Sequence, residues 1–384
     1  MKVPKIAILV DTSTGWGRRI VRGVLDYTTQ HGPWHVWIEA RGQNEIFNVP
    51  QESDIDGIIA RVSTPKLVRQ LHQRRIPTVN ISGLVLKNSD FPRITTDWDA
   101  AARLAEEHFR DRALRNFAYA GPIHLSYVHE HEMAFKNVLA ETGTSCHLFQ
   151  PEANPDNQQW SYQHKLLTCW LKSLPKPVGI FTWGFQIGRD IISVCRDAGI
   201  SVPHDVAVLG GDYDELLSDS CHPALSGIVT PARQIGYQAT QMLHSIMSGK
   251  EISQKNIFIK PEEIEKRLST EMLAIDDPKM IKALEFLRDH ACEQIQVEDI
   301  LKVVPMARRS LERRFMQYLG RNPAQEMRRL RINQARELLV KTDLSLDDIA
   351  EACGYASYNY LGNVFKAETG YSPGRYRIIA RGRR

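Results

Sequence analysis

The sequence has no long apolar run. None approaches the roughly 18 residues that a membrane span needs, so no spanning segment and no membrane partner are expected. The start, MKVPKIAILVDTST, is basic and briefly apolar, but the run from Ile6 to Val10 ends in Asp11. A leader would continue to a small-residue cleavage site, so this stretch reads as a buried first strand. Cysteine is sparse: six residues, at 146, 169, 195, 221, 292 and 353, with no CxxC pair. That pattern speaks against a disulfide framework or a zinc site and fits reduced thiols in a cytoplasmic protein. Catalytic signatures are missing as well. There is no P-loop, no GxSxG elbow and no HExxH. Gly15-Trp16-Gly17 follows an apolar run as a dinucleotide loop would, but the third glycine position is Ile20. His129-Glu130-His131-Glu132 has a metallic look, yet residues two apart do not share a helix face. Neither a metal nor a cofactor is therefore expected, and the chain does not read as an enzyme.

What is present is an uneven distribution of charge. The 384 residues suit two or three domains, and 42% hydrophobic with 24% charged is an ordinary globular composition. Net charge is only +4. From Asp277 to Arg384, however, 20 Lys and Arg stand against 14 Asp and Glu, a balance of +6, while the rest carries 29 against 31, or −2. Fifteen of those 20 basic residues are Arg, whose planar fork suits phosphate and guanine. Basic charge gathered at one end points to nucleic acid at that end.

The first 270 residues alternate apolar runs with amphipathic stretches. The runs lie at 5–11, 36–40, 57–62, 78–82, 93–97, 116–121, 178–183, 206–212 and 256–261. Continuous apolar strands between helices mean parallel sheets covered on both faces, with ligands at the carboxyl ends of the strands. The rhythm stops in the charged stretch that ends in DDP. We therefore expect an α/β sensor over residues 1–270, a linker over 271–278 and an all-α domain over 279–384. Within the sensor, two lobes are expected, one of about 1–113 with 230–250 and one of about 114–229 with 251–270.

The helical end contains a pattern twice. In VEDILKVVPMARRSLERRFMQYLG a short helix is broken by Pro305, and a second helix follows with Leu311, Phe315 and Tyr318/Leu319 on one face. Its other face shows Arg308, Arg309, Glu312 and Arg313. In LDDIAEACGYASYNYLGNVFKAETG, Gly354 suits a left-handed turn and Ser357 a helix cap. Leu361, Val364 and Phe365 are expected inside, with Tyr358, Asn359, Gly362 and Asn363 outside. Helix, tight turn and exposed second helix is the helix-turn-helix arrangement. A helix over Pro323–Lys341 joins the two units. The stretch IAEACGYASYNYLGNVFKAETGYSPGRYR resembles the signature of the AraC family of transcription regulators. Ile349-Ala350, Gly354-Tyr355-Ala356, Phe365-Lys366, Gly370 and Ser372-Pro373 through Tyr376-Arg377 carry the likeness, and RINQARELL resembles the family's connecting helix. The first unit departs from the pattern, with Pro305 for a turn glycine and Ala307 for a Ser/Thr cap.

The α/β part resembles the periplasmic-binding-protein-like sensors of lactose-repressor-type regulators, through DTSTGWGRRIVRGVLDYT, VAVLGGDYDE and ARQIGYQATQML. That resemblance implies a cleft between two lobes with Asp212 as a sugar-binding carboxylate. It also puts His131 where an Arg commonly holds a hydroxyl, and Gly184-Phe185 where a polar pair is usual. Candidate ligand contacts are Asp11, Trp16, Arg19, His131, Trp183, Phe185 and Asp212. Trp16 and Trp183 suit stacking on a sugar face or, equally, a place in the core. Arg19 is otherwise a helix-surface charge and Asp212 otherwise a cap.

Together these readings imply a ligand-responsive regulator that binds double-stranded DNA, and the resemblance implies that its small-molecule inducer is a sugar of the xylose type. RNA polymerase is a partner if the chain activates, and a homodimer is expected. The location implied is the cytoplasm, on the nucleoid when DNA is bound. A regulator answering to a non-pentose molecule is the alternative. A non-regulatory binding protein would lack the basic helical end, and an α/β enzyme would need a catalytic motif.

Overall fold

The computed structural model describes residues 3–38, 55–84, 86–121, 126–149, 160–272, 275 and 277–381. The chain divides into two compact units: Met1–Arg110 with Leu114–Met272, and Asp111–Ala113 with Leu273–Arg384. No helix among the described residues is long and apolar enough to cross a membrane.

The first unit opens with β1 (Lys5–Leu9), α1 (Gly15–Gln30), β2 (His35–Ile38), β3 (Gly57–Ala60), α2 (Pro65–Arg74), β4 (Thr78–Asn80) and β5 (Arg93–Thr96). It continues with α3 (Trp98–Arg110), β6 (Asn116–Ala120), α4 (Ser126–Glu141), β7 (Cys146–Phe149), α5 (Trp160–Ser173), β8 (Val178–Thr182), α6 (Phe185–Asp197), β9 (Val206–Gly210), α7 (Glu215–Ser218) and β10 (Ser226–Val229). It ends with α8 (Ala232–Met247), β11 (Asn256–Ile259) and β12 (Glu263–Glu265). The strands form two sheets, ordered β11-β5-β4-β3-β1-β2 and β12-β10-β9-β8-β6-β7. Pairing is parallel throughout except β12 against β10. Strands such as IAIL and VAVLG are buried on both faces, which is why their apolar runs are continuous rather than alternating.

Two lobe assignments differ from the expectation. Residues 256–259 fall in the stretch expected in the second lobe, but β11 extends the first sheet, paired with Arg93–Thr96 of β5. Helix α8 packs on the first sheet through Ile235, Ala239 and Leu243, so the chain leaving it is already beside that sheet, and one apolar run fits the edge of either sheet. The first crossover was expected near residue 113; it comes at Asp97–Trp98 instead. Helix α3 lies on the second sheet, where Phe109 is fully buried and its ring stands 2.8 Å from where a Cβ on Gly179 would be. Later crossovers follow β10 and β11, so the two lobes are joined at three places.

The second unit holds α9 (Pro278–His290), α10 (Val297–Val303), α11 (Arg308–Leu319), α12 (Pro323–Lys341), α13 (Leu346–Ala352), α14 (Tyr358–Thr369) and α15 (Pro373–Arg381). Asp277 caps α9, accepting from the amides of Lys279 and Met280. The expected linker over 271–278 falls partly outside the described residues. Residues 111–113, expected in the sensor, belong to this unit. Ala113 is in its core, and Asp111 pairs with Arg321 at 2.6 Å and with Arg329. The unit has two separate cores. One joins α9, α10, α11 and Met327; the other joins α13, α14 and the later part of α12 through Ile332, Ala335 and Leu339.

Candidate ligand cleft and nucleic-acid interface

The two helix-turn-helix units are built on their second helices. In α11, Leu311, Phe315 and Leu319 are buried at helical spacing, and this fixes which side faces outward. Ala307 is the N-cap and makes no side-chain cap bond, as its sequence implies. Arg309 and Arg313 are exposed and make no hydrogen bond or ion pair among the described residues. Arg308 is different: it pairs with Glu298 of α10 and, at 3.2 Å, with Glu312. The free donors on this face are thus Arg309 and Arg313, with Arg308 tied down as a brace.

In α14, Ser357 caps the helix by accepting from the Tyr360 amide, and Leu361 and Phe365 face the core. Asn359 and Asn363 are exposed, and Gly362 has open space before it. Tyr358, expected outside, is half-buried against the second core. It stands three residues before Leu361 and so shares its face. The outward aromatic is Tyr360, which is 58% exposed and which the sequence reading passed over.

In the first unit, the carboxyl ends of the strands carry three groups of side chains. Asp11, just after β1, is ion-paired with Arg61 after β3, and the Arg61 guanidinium stands 5.5 Å from the Trp16 ring centre. Trp16 also packs half-buried on the first lobe's core, so it is both a core residue and part of this group. Arg19, one turn along α1, reaches the other lobe. It donates to Asp212 at 2.8 Å, to the Tyr213 carbonyl at 2.9 Å and to Thr230 at 3.2 Å. Thr230 in turn donates to Asp212 at 2.6 Å. The helix cap is Asp214, not Asp212: it accepts from the Leu217 amide at the start of α7 and from the Gly15 amide at the start of α1. Burial pushes the Asp212 carboxyl above the usual carboxylate range, with Arg19 and Thr230 pulling the other way.

The third group is aromatic. Trp98 opens α3 directly after the first crossover and lies edge-on to His131 at 4.9 Å between ring centres. Trp183 lies edge-on to His131 at 5.1 Å and 5.6 Å from Trp98. His131 is fully buried. Its Nδ1 is 2.8 Å from the Tyr119 hydroxyl, while its Nε2 and the Trp98 Nε1 have no partner among the described residues. Trp98 was not singled out in the sequence because nothing local distinguishes it; only its place after a crossover does. Phe185, expected beside Trp183, instead packs on the second lobe's core, since it begins α6 on the face that the sheet covers. The buried Glu132 of the HEHE stretch pairs with Lys136. Among the described residues, no group of three or more His, Cys, Asp or Glu side chains is placed to hold a metal.

Burial pushes the His131 imidazole down to about 3. It is therefore neutral at physiological pH, and if the Tyr119 hydroxyl donates to Nδ1, Nε2–H is a donor. The depressed value also carries a stability cost in acid. Between about pH 6.5 and 3 the unfolded chain binds a proton that the folded one excludes, so stability is fully present above that window and falls through it by up to about 1.4 kcal/mol per pH unit. The His131→Gln protein is expected to lose roughly 2 kcal/mol less than the parent between pH 7 and 5 in urea unfolding. Identical losses would mean that His131 titrates freely.

Comparison with known proteins bears on both units. A periplasmic binding protein-like domain model matches residues 107–270 and a helix-turn-helix domain model residues 300–378, while a XylR N-terminal domain model matches residues 5–99. The xylose operon regulatory protein of Haemophilus influenzae is 31% identical over 97% of this chain and 98% of its own length. That of Escherichia coli K12 is 30% identical over 98% and 97%. The chain belongs to the family of xylose operon regulatory proteins. A solved structure of the xylose-binding transcription activator xylR superposes with a TM-score of 0.63 at 29% identity, covering 99% of both chains. The transcription regulator CcpA of Lactococcus lactis, at 18% identity and TM-score 0.56 over 70% of this chain, shows the sensor fold alone. As a member of the xylose operon regulatory protein family, the chain is a DNA-binding transcription regulator with an AraC-type helical end, as the sequence reading has it.

Proposed function

We propose that this chain controls a sugar operon, with D-xylose as the inducer held between the lobes. The observation that carries the reading is the Trp98, His131 and Trp183 group, whose His131 Nε2 and Trp98 Nε1 are buried without a partner among the described residues, in the same unit as the half-buried Asp212 carboxylate that Arg19 and Thr230 hold after β9. A sugar offers hydroxyl donors to an ionised carboxylate, which accepts only, and an apolar face to an indole. His131 Nε2 and Trp98 Nε1 supply the converse polarity. Asp11 and Arg61, like Arg19 and Asp212, neutralise each other, which suits an uncharged ligand. Similarity to proteins named for the xylose operon supports the choice of pentose. Thermal shift of the full chain against D-xylose, L-arabinose, D-ribose and D-glucose tests it. D-xylose is expected to give the largest rise in melting temperature; no shift with any of the four would overturn the sugar reading. Binding in the cytoplasm, dimer formation and contact with RNA polymerase complete the proposal. So does the absence of turnover, since every candidate site group is a binding group.

On the DNA side, Arg309, Arg313, Glu312, Asn359, Asn363 and Tyr360 are proposed to enter successive major grooves about 10 bp apart. Arg bonds guanine bidentately and Asn favours adenine. Arg313→Ala is expected to weaken operator binding by about 1–3 kcal/mol and to relax preference at one base, read by gel shift on single-base operator variants. An equal loss on every sequence would make Arg313 a phosphate contact.

A further inference from the structure

The two helix-turn-helix units have separate cores that share no residue. Helix α12 runs through both, and the change of allegiance is abrupt. Leu330 packs on the first core and Ile332 lies in the second. Between them is Arg331. Its Nε donates to the Ala291 carbonyl at 2.5 Å, and its Nη2 donates to the carbonyls of Glu293 at 2.7 Å and Ile295 at 3.4 Å. These carbonyls belong to the turn from α9 into α10, at the base of the first unit. The same guanidinium stands 5.7 Å from the ring centre of Tyr355, a buried residue in the turn between α13 and α14 of the second unit. A second contact closes on the same turn. Gly354, at φ +72°, approaches so near that a Cβ would lie 2.6 Å from the Cys292 carbonyl and 2.8 Å from that of Glu293.

We propose that Arg331 is a positioning residue that fixes the angle and spacing between the two DNA-reading helices, α11 and α14. It does so without touching DNA, and the proposal rests on the reading of those helices given above. The guanidinium is a planar fork of five donors that reaches several carbonyls at once while its face lies on an aromatic ring. It also ends at the carboxyl terminus of α9, where a cation is favoured. Lysine cannot replace it, because one ammonium point charge on a flexible stem cannot span three carbonyls and a ring. A single helix held only by two independent cores would let the units swing about its middle. The clamp removes that freedom, so binding of one unit sets the groove offered to the other.

The test is selection from a randomised duplex pool with the full chain, in D-xylose and without it, for the wild type, Arg331→Lys and Arg331→Met. The wild type is expected to select two boxes at one dominant spacing. Both variants are expected to recover the same two boxes spread over several spacings. They should lose about tenfold in affinity for the wild-type site and keep wild-type affinity for a duplex holding either box alone. The single-box readout separates positioning from instability, since a partly unfolded unit would weaken single-box binding too. If the variants keep the single spacing, or lose single-box binding in proportion, Arg331 is only a structural residue and the proposal fails. A wild type that selects a single box overturns both this inference and the reading of α11 and α14 as paired readers.

Discussion

Replacing Gly23 by valine is expected to lower the stability of the first unit by about 3 kcal/mol, near the upper end of what overpacking costs. Helices α1 and α8 touch backbone to backbone. A Cβ on Gly23 would stand 1.9 Å from the Arg233 carbonyl oxygen and 2.8 Å from the Tyr237 amide nitrogen. Gly236 makes the reciprocal approach, with its missing Cβ 2.1 Å from the Ile20 carbonyl. These obstacles are main chain, which no rotamer change moves aside, so the helices must separate. Separation exposes the buried Ile20, Val24, Ile235 and Ala239 between helix and sheet. At this size the loss corresponds to roughly 6–12 °C in melting temperature. Arg22→Val is the control, since Arg22 is one residue away on the same helix with its side chain 68% exposed. Scanning calorimetry of both variants decides the matter; equal, small shifts would mean that the helix pair can spread without loss. The consequence for function follows from what α1 carries. Trp16, Arg19 and the Gly15 amide all sit at its start, so moving the helix moves the side of the cleft that meets Asp212 and Asp214.

The parts of this fold that the sequence displayed are those whose signals are local. Gly354, Ser357 and Pro373 each fix backbone at one place, and the second helix-turn-helix unit follows from them. Apolar runs such as VAVLG announce buried parallel strands in the same way. Strands β7 and β12 lie at sheet edges, where partial burial leaves little pattern, and the buried β10 is short and opens with Ser226-Gly227, which breaks its apolar run. Pairings across long sequence distances were equally hidden. Nothing in NIFI says which sheet it joins, and nothing at Arg19 says that its partner lies 193 residues away. Asp212 and Asp214 are the same residue type two positions apart, and only the groups they meet, a guanidinium and a hydroxyl for Asp212 and two helix-start amides for Asp214, tell them apart. Tyr358 is the instructive case, because its signal was present. Helical spacing back from Leu361 and Phe365 already puts it inward.

Asp212→Asn is expected to abolish the response to D-xylose at concentrations that saturate the parent while leaving unliganded DNA binding intact. Asparagine has nearly the same shape and still accepts from Thr230 and Arg19, so the loop after β9 keeps its course. What is lost is the negative charge, and charge-assisted hydrogen bonds are roughly twice as strong as neutral ones. Halving two such bonds to a pair of ligand hydroxyls, at about 1.5–3 kcal/mol each, makes the loss of affinity about tenfold to about a hundredfold. The raised carboxyl adds a second signature. Burial disfavours the ionised form of Asp212, and hydroxyl donors from a ligand favour it. Binding therefore prefers the ionised protein, so affinity is highest above the carboxyl's raised value and declines as pH falls through it. In the Asn variant the weak residual affinity should not follow that decline. The coupling to DNA is expected to vanish with the ligand, because an effector shifts an equilibrium only by its difference in affinity for the two states. Calorimetric titration of both proteins with D-xylose across pH, paired with gel shifts with and without the sugar, reads all three effects. A variant that binds and responds at the parent's concentrations would remove Asp212 from the site and leave it as the partner that holds Arg19 across the lobes.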